Sequence, residues 1–119
     1  MPIFCISYYF VLYEPSIRKA EAEYDHLSRS RFNDGSIAVD KPWKTPAELS
    51  YTSTHAYQFR MACTINNVAG QKQVCKMMAR YGQYITIFHC VIRPETMSLQ
   101  EFNNVVKFID EMMVRKLQT

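Results

Sequence analysis

A chain of 119 residues, 48% hydrophobic and 13% aromatic, is long enough for one packed core and too apolar for a disordered segment. The net charge of +3 is modest, and no apolar run approaches the roughly 20 residues of a membrane helix, so neither a polycationic tail nor a membrane span is expected. The expectation is a single α+β domain over residues 1–119.

Ile3 to Tyr13 is uncharged and rich in β-formers, and it reads as a central strand. Its apolarity resembles a signal core, but no basic residues precede it and Glu14-Pro15 follows it. Pro15 then stands where a helix tolerates proline, and Ile17, Ala20, Tyr24 and Leu27 form a narrow apolar stripe. That helix is expected to pack on one edge, with Glu21, Glu23 and Asp25 on a solvated face. Asn33-Asp34-Gly35 signals a tight turn. A proline-punctuated loop with the only tryptophan, Trp43, comes next, and Thr45-Pro46-Ala47-Glu48 has the form of a helix cap.

From Ser50 to Asn66 the alternation is unbroken and lacks a turn residue, so one long strand is expected. Fully extended it would reach roughly 55 Å, which calls for a bend near Thr54–Tyr57 or a frayed first half. The segment Val68–Gly82 reads as a helix with Val74, Met77, Met78 and Tyr81 inward and Gly82 as its stop. Gln83–Arg93 is an interior strand. Ser98 and Glu101 form a capping box ahead of a helix with Phe102, Val105, Val106, Ile109, Met112 and Met113 inward. This order suits a small mixed or antiparallel sheet with helices packed on one face, ferredoxin-like in order, plus a C-terminal helix.

Cys5, Cys63, Cys75 and Cys90 form no CxxC pair and lie in apolar segments. They read as reduced core residues of a cytoplasmic protein, with a disulfide as the alternative. His26, His55 and His89 show no metal-ligand spacing. A histidine–cysteine pair across the sheet is the one enzymatic option, and it ranks third among the functional readings. No cofactor or metal is implied.

The main charge feature is the lack of any Asp or Glu from Leu49 to Pro94, a stretch that holds Arg60, Lys72, Lys76, Arg80 and Arg93. On a helix, Lys72, Lys76 and Arg80 would line one face. Arg60, Lys72, Lys76, Arg80 and Trp43 are therefore the expected partner- or phosphate-binding residues. The first functional reading is a small non-enzymatic binding or regulatory protein that docks on another protein or assembly with an acidic surface, for instance as an inhibitor. The second is a nucleic-acid-binding protein that sets the basic helix face against phosphates. Base stacking on an open sheet face would fall to Tyr9 and Tyr13. A homodimer is compatible with either.

Overall fold

The computed structural model describes residues 7–33, 43–66, 72–93 and 95–118. Its elements are β1 (Ser7–Tyr13), α1 (Ile17–Arg31), β2 (Gln58–Asn66), β3 (Lys72–Tyr81), β4 (Tyr84–Ile92) and α2 (Leu99–Leu117). The fold is α+β, a four-stranded antiparallel sheet in the order β1-β4-β3-β2 with two helices. β2, β3 and β4 are consecutive antiparallel neighbours, and one helix separates β1 from β2, so the ferredoxin-like order is not the one adopted.

The two helices lie on opposite faces, not on one. Side chains alternate along a strand, so odd and even positions of β3 serve different cores. Cys75, Met77, Ala79 and Tyr81 join Phe102, Val106, Ile109 and Met113 of α2. Met78 joins Ala62, Ile85, Ile87 and Tyr24 of α1. Each fully buried α2 side chain, such as Phe102 or Val106, contributes about 1.5–3 kcal/mol through removal of apolar surface from water.

Both helices start as their caps suggest. Ser16 Oγ accepts the Lys19 N–H, and Ser98 and Glu101 complete a reciprocal capping box. The narrow stripe of α1 holds, since Ala20 and Tyr24 alone are fully buried on it. Tyr24 Oη donates to the Met78 carbonyl, and burial pushes its hydroxyl pKa up to about 12. α2 buries Asn103 and Asp110 beside its apolar residues, while Val105 and Met112 are only half-buried.

Four expectations are corrected. The helix read over residues 68–82 is strand β3 where it is described, and Gly82, at φ +62°, is not a helix stop. It begins the two-residue turn between Tyr81 and Tyr84, where left-handed backbone suits glycine. β3 is central and buried on both faces, so it shows no alternation. Its Met, Ala and Lys residues favour helix, but pairing on both sides overrides that preference. β1 is an edge strand, not a central one; residues 3–6 lie outside the described residues. The stretch from Ser50 to Asn66 is not one long strand but strand only from Gln58; its first half is an irregular strap with bends at 54–55 and 57, where the length of the segment calls for a bend or fraying. Thr45 does not cap a helix: its hydroxyl donates to the Met61 carbonyl, and a turn closes between Leu49 N–H and Pro46 O.

The reduced-thiol reading is also overturned. Cys63 and Cys75 stand directly opposite each other on β2 and β3 and form a disulfide. Cys90 is disulfide-bonded as well, and none of the described cysteines is free. The Asn33-Asp34-Gly35 turn falls mostly within residues 34–42, outside the described residues.

Candidate functional site

Because β3 is a strand, Lys72, Lys76 and Arg80 share the α1 face of the sheet but are spread along it. Neighbours in this set are about 13 Å apart at the rise of an extended chain, twice their spacing on a helix. The three therefore do not form a basic stripe.

Arg80 is bound internally. Its guanidinium donates to Gln58 Oε1 and the Gly82 carbonyl, lies 5.3 Å from the Tyr57 ring centroid, and approaches the Glu21 carboxylate at 3.9 Å. Its side chain is 7% exposed. Arg80 thus ties β3 to α1 and leaves the candidate set. Lys72 stands at the far start of β3, half-buried and apart from the others.

The structure does bring Arg60, Lys76 and Trp43 together, at the C-terminal end of α1. Lys76 Nζ donates to the Arg31 carbonyl at 3.0 Å and lies 5.2 Å from the Trp43 ring. Trp43 packs edge-on against Phe32 at 5.1 Å. The Arg60 guanidinium sits 4.2 Å over the Phe32 ring and donates to Ser28 Oγ. Arg31 donates to Tyr8 Oη at 3.4 Å, and Tyr8 stacks on His89 at 4.7 Å. Sheet register explains the arrangement: Tyr8, His89, Lys76 and Ala62 form one row across the four strands on the α1 face.

The only ion pairs among the described residues are Arg29–Asp25 and Arg80–Glu21. Arg31, Arg60 and Lys76 therefore form a patch backed by Phe32 and Trp43, with no carboxylate paired to them among the described residues. Burial, then the charge of Arg31, pulls Lys76 down to about 8. Burial, then Lys76 and Arg31, holds His89 down at about 4, so its imidazole is neutral at pH 7. The buried His89 Nδ1 has no hydrogen-bond partner among the described residues. The patch is a region of positive potential in which bringing in an anion lowers the energy of every group.

Arg31, Phe32 and Tyr8 are members that sequence reasoning missed, and it offers His89 only as a candidate acid–base or metal residue. Arg31 had a visible signal, since a basic residue in a last helical turn suits the negative end of the helix dipole. His89 and Cys90 point to opposite faces, and the described thiols are bonded, so the histidine–cysteine couple lacks a free thiolate. Among the described residues no three His, Cys, Asp or Glu side chains gather where a metal ion could be held. No helix among them is long and apolar enough to cross a membrane. Helices cover β3 and β4 on both faces, which removes the open platform that base stacking on the sheet would use.

A second feature lies at the β3–β4 turn. A shallow cleft of about 540 Å³ is lined by His55, Tyr57, Tyr81, Tyr84, Val114 and Leu117, with no Asp, Glu, Lys or Arg among the described residues of its wall. Behind it, the buried Asp110 accepts from Tyr81, Tyr51 and Ser53, and Asn103 accepts the Tyr51 N–H. These bonds fasten the strap before β2 onto α2. Burial, then the Asp110 hydrogen bond and charge, raises the Tyr51 and Tyr81 hydroxyls well above their ordinary value.

The chain matches no family model, no curated protein and no solved structure.

Proposed function

We propose that the protein is a non-enzymatic binding protein that docks on an acidic surface of another protein through the end of α1. The observation that carries this reading is the grouping of Arg31, Arg60 and Lys76 around Phe32 and Trp43 with no paired carboxylate among the described residues. An aromatic backing with arginines around it is the composition from which interface anchors are built. Charge complementarity would steer the partner and fix its orientation. Action as an inhibitor of a larger assembly is the finer form of this proposal. The two disulfide-bonded sites favour an oxidising compartment over the cytoplasm.

Nucleic acid is the competing ligand, because phosphates suit the same cations. Lys76 and Phe32 already pack against the Trp43 ring, which favours a protein over a stacked base. A photo-crosslinking phenylalanine analogue at Lys44, exposed beside Trp43, separates the two. Protein adducts from position 44, and none from the same analogue at Lys107 on α2, support docking. Nucleic-acid adducts at 44, or equal protein adducts at both positions, defeat it.

A further inference from the structure

We infer that the protein forms a two-fold homodimer in which β1 pairs antiparallel with β1 of a second copy, joining two four-stranded sheets into one. The surface meets the end of α1 at Tyr8, whose hydroxyl accepts from Arg31, and the inference does not depend on the docking reading.

The two sheet edges are treated differently. The outer side of β2 is covered in its middle, where Lys44 and Cys63 exchange two backbone hydrogen bonds of 2.9 and 2.7 Å. The outer side of β1 pairs with nothing among the described residues. β1 also has none of the usual guards of a free edge, since Ser7–Tyr13 contains no charge and no proline. Both helices lie mainly over β3 and β4 and touch β1 through side chains, Arg31 against Tyr8 and Phe10 on one face and Met113 against Tyr9 on the other, while its outer backbone edge is unpaired among the described residues.

A second copy suits this edge for three reasons. A symmetric antiparallel pair sets each residue against a fixed partner, so any charged residue near the centre would meet a like charge or a greasy one. Centred on Phe10, the strand instead sets Tyr9 against the partner's Val11 and Tyr8 against the partner's Leu12. Aromatic residues thus face β-branched and aliphatic ones, a favourable cross-strand pairing. Second, the exposed side chains are apolar: Tyr8, Tyr9, Val11 and Tyr13 are 36%, 38%, 41% and 59% exposed. At about 150–250 Å² per aromatic side chain they offer on the order of 300 Å² per copy. Two copies thus offer roughly 600 Å² of side-chain surface, with the backbone edge in addition, an area that suits a weak, concentration-dependent pair. Third, the two-fold axis of such a pair is normal to the sheet, so both copies of α1 fall on one face. The dimer would then present two basic patches side by side, and a repetitive acidic partner would be held at both.

Sedimentation across a concentration series tests the inference, with wild type beside Val11→Lys, which puts a cation on the exposed side of β1. Wild type is expected to shift from monomer to dimer mass as concentration rises, and Val11→Lys to remain monomeric with an unchanged circular dichroism spectrum. Hydrogen exchange supplies a reading that needs no variant: amides of β1 should gain protection with concentration, while those of β2 should not. A wild type monomeric throughout, a Val11→Lys dimer of undiminished affinity, or concentration-independent β1 exchange would each overturn it.

Discussion

Lys76 reaches from the central strand β3 to the end of α1 and donates from Nζ to the carbonyl of Arg31 at 3.0 Å. One ammonium thus satisfies a terminal helix carbonyl that has no partner within the helix, and it holds a second cation, Arg31, close by. The contact fixes α1 to the sheet and also sets up the charge density of the patch.

The pH dependence of stability follows from the same residues. His89 falls from 6.5 to about 4 on folding, so between those values the unfolded chain binds the extra proton. Its contribution is complete above pH 6.5 and lost as pH drops through 4. Lys76 falls from 10.5 to about 8, so stability should rise above pH 8 for the same reason. The tyrosines act in the opposite sense above pH 10, because Tyr24 holds its proton to about 12 when folded. Urea midpoints measured from pH 4 to 10 should trace both rises. His89→Gln should flatten the acid limb alone, whereas Lys76→Met should flatten the alkaline limb and, by removing one of the charges that hold His89 down, also weaken the acid limb.

Asp110 should be the most sensitive polar position. It is fully buried and accepts from three hydroxyls, so Asp110→Ala leaves Tyr51, Ser53 and Tyr81 without their acceptor. A loss of about 3 kcal/mol is expected, since hydrogen bonds to a charged group are worth more than neutral ones. Asp110→Asn keeps an acceptor oxygen and should lose roughly half as much. Denaturant unfolding gives both values, and faster amide exchange over residues 51–57 would locate the effect in the strap.

The Cys63–Cys75 bond is directly measurable. Trypsin cuts after Arg60, Lys72 and Lys76, so a non-reducing digest should contain peptide 61–72 linked to peptide 73–76. Replacing both cysteines with alanine should lower stability by about 3 kcal/mol on the loop-entropy estimate. Two unlinked peptides in the unreduced digest would contradict the bond.

Legibility in the sequence followed burial. α2 was readable because one face is wet and the other dry, and Ser98 and Glu101 mark its start. α1 was readable for similar reasons despite its weak stripe. β3 was not: buried on both faces, it lost the alternation of a strand, and its cations happened to recur at a helical interval. Arg80 shows how that error reached the site, because a residue expected on a wet helix face is 6% exposed and fully engaged. β1 misled in the other direction, its tyrosines and lack of charge suggesting an interior it does not occupy. A disulfide stood as the alternative, but the pairing of Cys63 with Cys75 depends on the β2–β3 register, which a helix over residues 68–82 conceals. Asp110 was within reach, since it lies seven residues after Asn103 and so on the same buried stripe.

The most direct measurement is capture from nuclease-treated lysate with wild type and an Arg31→Glu/Arg60→Glu variant as matched baits, quantified by mass spectrometry. The expected result is an acidic protein enriched by wild type, unaffected by nuclease and lost with the variant. Equal recovery on both baits, or recovery that disappears with nuclease, would contradict docking through the end of α1.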